Sequence, residues 1–388
     1  MRIAISGASG YIGQHLSSFL EGKGYDVIPL GRDLFKEDCF DELCRCVESC
    51  EVVINLAGAS INKRWTEAYK QELYDSRICV TRQLVHAINT RSVKLELFIS
   101  ASAVGYYPAF GEYDEYHDCR GMDFLARLCG AWEEEASACS SDVRLVITRF
   151  GVVLSEDGGA LKEMLRLQRF SRVSVVIGNG QQRFPWISLF DLCRSFGYII
   201  RNRQMRGVVN LVSPDLITQK QLAHTLARAD KIRRIIPLPE FFFRLKFGEG
   251  ASFVTKGQTV HPSKLQESGF TYIYPTIEKL MNITDHHTVP ELDVKRYMGR
   301  WYEIARYENH FERGMTDVTA TYTLLPDGKI RVENEGYKGG VHKKATGRAK
   351  QPDPKNNPGK LKVAFFLWFY ADYYILSLIH ISEPTRPY

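Results

Sequence analysis

Along the first part of the chain, short apolar runs alternate with stretches in which apolar residues recur at helical spacing. Ile3-Ala4-Ile5 reads as a strand and runs into Gly7-Ala8-Ser9-Gly10-Tyr11-Ile12-Gly13. Ile12, Leu16, Phe19 and Leu20 then fall on one helical face. Gly22 and Gly24 end that helix, and Asp26-Val27-Ile28-Pro29-Leu30 is the next strand. Pro29 is awkward in a central strand, because it brings no ladder donor. Further apolar strands are expected in Val52-Val53-Ile54-Asn55-Leu56, Leu97-Phe98-Ile99-Ser100 and Leu145-Val146-Ile147-Thr148. Strands alternating with helices predict a doubly wound α/β sheet.

Beyond residue 290 the period changes to two. Val318, Ala320 and Tyr322 alternate with Thr319, Thr321 and Thr323, and Pro326-Asp327-Gly328 is a turn. Strands follow at 330–334, 342–350, 360–366 and 372–376, which predicts an up-and-down barrel. The polar stretch 284–290 between the two patterns reads as a linker. His286 and His287 within it are adjacent rather than on a shared ligand-bearing face, so no metal site is expected there.

Composition narrows the picture. A chain of 388 residues, 44% hydrophobic and 25% charged, is long enough for two or three globular domains. The net charge of +6 is not gathered in any Lys/Arg block, which argues against nucleic acid as a partner. There is no run of eighteen apolar residues, so no transmembrane segment is expected. The N-terminus leads straight into the glycine motif and does not read as a signal peptide. All nine cysteines lie at or before Cys193, and free thiols in a cytoplasmic protein are the simplest reading. Cys39, Cys44, Cys46 and Cys50 lack paired metal-ligand spacing and are expected as buried thiols on a helix.

The glycine motif carries the clearest chemistry. A strand, a glycine turn and a helix N-terminus together make a Rossmann-type loop, in which the backbone can approach a pyrophosphate and free N–H groups receive it. The end of the second strand decides between cofactors. An acid there would serve the ribose hydroxyls of NAD; the chain instead reads Gly31-Arg32-Asp33. Arg32 can pair with a 2′-phosphate, so NADP (NADPH) is the expected cofactor. Ala57 and Gly58, after the third strand, are small enough to pass close to it.

These residues resemble the extended short-chain dehydrogenase/reductase superfamily, and within it the atypical epimerase family with a DUF1731 C-terminal segment. The likeness spans residues 1–282. It rests on Asn55-Leu56-Ala57-Gly58, Lys63-Arg64-Trp65, Ser76-Arg77-Ile78, Ser102-Ala103-Val104-Gly105-Tyr106-Tyr107, Trp132-Glu133, Gly151-Val152-Val153-Leu154, Gly178-Asn179-Gly180-Gln181, Pro185-Trp186-Ile187 and the closing Pro262-Ser263-Lys264-Leu265. The resemblance implies a cofactor site of Gly7, Gly10, Tyr11, Ile12, Gly13, Arg32, Leu56, Ala57, Gly58, Arg77 and Val153. Arg77 would start a helix facing the cofactor, and Val153 would lie near the nicotinamide. The implied partner is a small carbonyl or hydroxyl substrate.

For catalysis the superfamily uses a Tyr acid/base with a Lys four positions on. Here Phe124 and Leu128 stand in the corresponding stretch. Ser102 matches the catalytic Ser position and could polarise a carbonyl. Tyr106 or Tyr107 would then be the substitute donor, or aromatic packing beside the site. After Trp186-Ile187 the family's His and one Asp are absent, and Asp191 alone remains. A non-catalytic NADP-binding sensor or scaffold is the second reading of the same residues.

Gly299-Arg300-Trp301-Tyr302, with Thr319-Ala320-Thr321-Tyr322, resembles a bacterial-type lipocalin over 290–376. That likeness implies a barrel plugged by Trp301 and a cavity for a lipophilic ligand, with Phe365, Phe366, Trp368, Phe369 and Tyr370 at the mouth or in the core. A lipid carrier is thus a third reading. About six strands are countable where about eight are needed, so the barrel is expected to be incomplete. Residues 377–388 depart from the pattern, resemble translated sequencing adapter and read as a non-native tail. The expected domains are 1–215 (NADP-binding), 216–283 (DUF1731-like), 284–290 (linker) and 291–376 (truncated lipocalin).

Overall fold

β1 (Arg2–Ser6) is buried from its second residue onward, with alternate side chains entering different cores. Ile3 and Ile5 pack with Leu16, Leu20 and Phe196, while Ala4 packs with Leu43, Val53, Leu84 and Phe98. A strand covered on both faces must be apolar throughout, which is why its sequence shows no alternation. The computed structural model describes residues 1–92, 95–281, 289, 291–302, 314–352, 354, 358–366 and 369–375. Two compact units divide the chain, Met1–Ile283 and Thr284–Tyr388.

The first unit continues with α1 (Tyr11–Glu21), β2 (Asp26–Leu30), α2 (Phe40–Glu48), β3 (Val52–Asn55) and α3 (Glu67–Thr90). Next come β4 (Leu97–Ala103), β5 (Glu112–Tyr113), α4 (Phe124–Ser137), β6 (Arg144–Phe150), β7 (Val152–Ser155) and α5 (Gly159–Ser171). Then follow β8 (Val173–Ile177), β9 (Trp186–Ser188), α6 (Leu189–Arg201), β10 (Gly207–Leu211), α7 (Gln219–Ala229), β11 (Arg234–Leu238), α8 (Glu240–Phe247) and β12 (Thr259–Val260).

Six of these strands form a parallel sheet in the order β10-β6-β4-β3-β1-β2. The chain leaves β1 for β2 on one side and returns to β3 on the other. The strand order therefore reverses at β1 and β3, and a crevice opens beyond their C-terminal ends. Ser6 closes β1 opposite both Leu30 and Asn55, so the three strand ends are level. Pro29 finds its explanation here: β2 is an edge strand, where a missing donor is tolerated. The remaining strands pair two by two, β7 with β9, β8 with β11 and β5 with β12, all parallel. Among the described residues no helix is long and apolar enough to cross a membrane.

The second unit is an antiparallel meander of β13 (Gly299–Tyr302), β14 (Met315–Leu324), β15 (Ile330–Lys338), β16 (Val341–Lys350), β17 (Lys360–Phe366) and β18 (Phe369–Tyr374), in that order. Tyr322, Ile330, Val332, Ala349 and Leu361 form its core with Tyr297. Trp301 donates its Nε1 proton to the Tyr297 carbonyl at 3.0 Å. Among the described residues β13 and β18 are not paired with each other, so the sheet is an unclosed, partial lipocalin barrel. His286, His287, the side chains of the aromatic run 365–370 and the tail 377–388 lie outside the described residues.

Candidate functional site

The loop between β1 and α1 is closed by Gly10, whose N–H donates to the Gly7 carbonyl at 2.9 Å. Gly7 sits at φ +74°, and a Cβ there would stand 2.8 Å from the Leu56 carbonyl. A Cβ at Gly13 would stand 2.2 Å from the Gly7 carbonyl oxygen. Only glycines let these segments close to this distance. No side chain caps α1, and its first turn carries no acid, so its N-terminal amides keep their partial positive charge. The Tyr11 ring lies against Gly158, where a Cβ would fall 2.2 Å from the ring, and the buried Tyr11 hydroxyl has no hydrogen-bond partner.

Leu56, Ala57 and Gly58 follow β3 along the same crevice. Asn55, fully buried, fixes their start: it accepts from Ser6 Oγ at 2.6 Å and from the Ala57 N–H at 3.2 Å, and donates to Thr81 at 2.8 Å. Arg77 lies well inside α3 rather than at its start, because Thr66 already caps that helix. Its guanidinium donates to the carbonyls of Ala59 (3.0 Å) and Leu73 (3.1 Å) and lies over Trp132. A Cβ at Gly58 would come within 2.9 Å of Arg77 Cζ, so the cation borders the crevice. Burial lowers the Arg77 pKa. Among the described residues no carboxylate pairs with it.

Arg32, one residue past β2, is exposed and likewise makes no ion pair among the described residues. Its neighbour Asp33 is tied to Lys36 at 2.5 Å, a bond that lowers the Asp33 pKa. Val153 is half-buried in β7, beside Ile187 of β9.

Ser102, Tyr106 and Tyr107 gather around a buried ion pair near the C-terminal ends of β4 and β6. Arg149 of β6 donates to both Glu133 carboxylate oxygens of α4, at 2.8 and 2.7 Å. Ser102 donates to the same carboxylate at 2.6 Å. The Arg149 guanidinium lies 3.5 Å from the Tyr106 ring centre and 4.7 Å from that of Tyr107. Burial opposes its charge, but the Glu133 hydrogen bonds and charge outweigh burial and push the Arg149 pKa up. Tyr106 donates to Asp118, and Tyr107 to the Asp114 carbonyl and to Asn210. Burial raises both tyrosine pKa values against the lowering effect of Arg149, so both phenols are protonated at neutral pH. A cavity of about 490 Å³ opens here, lined by Tyr106, Asp118, Arg120, Glu133 and Arg149, with none of the glycine-loop residues in its wall.

Sequence reasoning did not foresee this Glu133–Arg149 pair, although an Arg at the end of an apolar strand and a Glu in an apolar helix face were both visible signals. Asp191 serves the fold instead. Fully buried, it accepts from the N–H groups of Ile273 and Tyr274 and holds the end of the unit against α6.

Three family models match in series. They are the NAD dependent epimerase/dehydratase family over residues 3–211, a domain of unknown function (DUF1731) over 238–282 and a lipocalin-like domain over 292–380. The epimerase family protein YfhF of Bacillus subtilis is 34% identical over 307 residues, covering 74% of this chain and all (100%) of that protein. The chloroplastic epimerase family protein SDR39U1 homolog of Arabidopsis thaliana is 33% identical over 297 residues, 72% of this chain and 85% of its own length. The crystal structure of the human epimerase family protein SDR39U1 (isoform2) with NADPH superposes with a TM-score of 0.67 at 32% identity, covering 73% of this chain and 98% of that one. The chain therefore belongs to the NAD dependent epimerase/dehydratase family, in the branch with a DUF1731 segment, and continues into a lipocalin-like domain.

Proposed function

We propose that the first unit binds NADP(H) and uses it in oxidoreductase or epimerase chemistry on a small carbonyl or hydroxyl substrate. The observation that carries this reading is the close-packed loop of Gly7, Gly10 and Gly13 with two cations, Arg32 and Arg77, that meet no carboxylate among the described residues. A phosphorylated dinucleotide supplies the missing negative charge. The backbone of Tyr11, Ile12 and Gly13 would take the pyrophosphate, Arg32 the 2′-phosphate, and Leu56, Ala57, Gly58 and Val153 the walls. The human relative bound to NADPH supports the same cofactor.

The nicotinamide supplies or accepts the hydride when bound. The chain's own part is to hold a proton near the reacting oxygen. Ser102 donates its hydroxyl hydrogen bond to Glu133, and Tyr107 is buried and bonded twice. Tyr106 also donates to a carboxylate, the exposed Asp118, but it is the most exposed of the three and so the best placed to pass a proton to a substrate. The second unit would hold a lipophilic ligand in the partial barrel around Trp301. Nine free cysteines support a reducing, cytoplasmic setting.

Calorimetric titration with NADPH and NADH tests the cofactor reading. At least ~tenfold tighter binding of NADPH is expected; equal affinities remove the phosphate argument, and binding of neither removes the nucleotide. The second reading, a non-catalytic NADP-binding module, rests on Phe124, which packs edge-on against Trp65 at 5.3 Å where a proton donor would be needed. A carbonyl panel followed by NADPH absorbance separates the two: tight binding with no turnover across the panel favours the module.

A further inference from the structure

β11 runs almost directly into α8, and together they bring apolar and basic side chains to the surface. On α8, Phe241 is 57% exposed, Phe242 46% and Leu245 69%. At 3.6 residues per turn these three occupy an arc of about 100°. Arg244 flanks the arc on one side and Lys246 on the other, both exposed, while Glu240, Phe243 and Phe247 on the far side are more covered. On β11, Ile236 is 45% exposed, next to the exposed Arg233 and Arg234. Residues 231–246 contain five basic side chains, Lys231, Arg233, Arg234, Arg244 and Lys246, against the single acid Glu240. Among the described residues four of the five make no ion pair, and Arg244 reaches Glu240 only at 3.9 Å.

We propose that α8 and β11 form a peripheral docking surface for an anionic lipid bilayer. Phe241, Phe242 and Leu245 enter the boundary between headgroups and acyl chains, and the flanking cations meet lipid phosphates. An apolar arc bordered on both sides by cations is the pattern of a helix lying in the interface plane. The charge decides the occupant. A second copy of the same helix face would bring Arg244 and Lys246 against their own counterparts. A nucleic-acid duplex would satisfy the cations but, with its bases stacked inside, would leave Phe241 and Leu245 without an apolar partner.

The test is flotation of the full chain with vesicles of phosphatidylcholine alone, or of equal parts phosphatidylcholine and phosphatidylglycerol. Recovery with the anionic vesicles should be at least ~tenfold higher and should fall as salt is raised. Phe241→Ser/Leu245→Ser and Arg244→Glu/Lys246→Glu should each lose at least ~fivefold of that binding, with circular dichroism and the melting curve unchanged. If either α8 variant fails to fold, Arg233→Glu/Arg234→Glu on the strand side gives the same readout. Equal binding to neutral vesicles, or full binding by the folded variants, overturns the proposal and places lipid contact elsewhere in the chain. A dimer in sedimentation that the apolar variant dissociates, without vesicle binding, also overturns it and makes a second copy the occupant.

Discussion

Glu133 and Arg149 face each other between α4 and β6, joined by two hydrogen bonds and with less than a tenth of either side chain exposed. Ser102 and the two tyrosine rings are arranged around that pair. Arg149→Met would leave the carboxylate buried with only the Ser102 proton, at a cost of about 3–5 kcal/mol. Urea unfolding should show this as a lower midpoint, and Glu133→Leu added to Arg149→Met should recover most of it. A single variant as stable as the parent would mean that water already reaches the pair.

Arg32→Ala should weaken NADPH binding by about 1–3 kcal/mol and leave NADH binding unchanged. Asp33→Ala should leave the binding of both cofactors unchanged, because Asp33 is engaged with Lys36 on the loop surface. Titration of both variants with both cofactors checks the pair of expectations; an equal loss for NADPH and NADH would assign Arg32 to the shape of the loop instead.

Gly13→Ala should abolish nucleotide binding while the sheet stays folded. Its Cβ would collide with the Gly7 carbonyl, and the neighbour that must move is backbone. Retained NADPH affinity in this variant would show that the loop does not form the site.

The fold and its candidate chemistry were legible to different depths. β1, the glycine loop and α1 are contiguous in sequence, so local pattern was enough to place them. Pro29 looked misplaced until β2 proved to be an edge strand, a fact of pairing order that no local window contains. Glu133 and Arg149 were each visible, but their partnership crosses from a helix to a strand and depends on how α4 lies on the sheet. Arg77 was expected to open its helix; Thr66 starts α3 earlier, and the guanidinium turns to the carbonyls of Ala59, before the helix, and Leu73, one turn back within it. The paired strands β7–β9 and β8–β11 were missed as pairs because each borrows its partner from a distant segment.

Alkali should destabilise the protein over a defined range. Burial pushes the Cys129 and Cys193 thiols from about 9 up to about 12. Their folded-state values lie above the unfolded ones, so the stability they contribute is complete below about pH 9 and is lost as pH rises toward 12. Melting curves should fall over that range, and the Cys129→Ala and Cys193→Ala variants should flatten the fall. Alkylation of the folded protein near neutral pH, read by mass spectrometry, should label the exposed Cys79 and Cys119 and spare these two. Early labelling of Cys129 would contradict the burial from which the pH argument starts.

The contact of Tyr11 with Gly158 reaches beyond the site itself. The loop after β7 touches the first residue of α1 with no room for a methyl group between them. Any replacement at 158 must displace the Tyr11 ring, which belongs to the first residue of α1. In a saturation library scored by nucleotide binding, position 158 should therefore favour glycine, with larger residues enriched where a smaller residue at position 11 arises with them. That contact couples two segments far apart in the sequence, so a change in one is felt at the other.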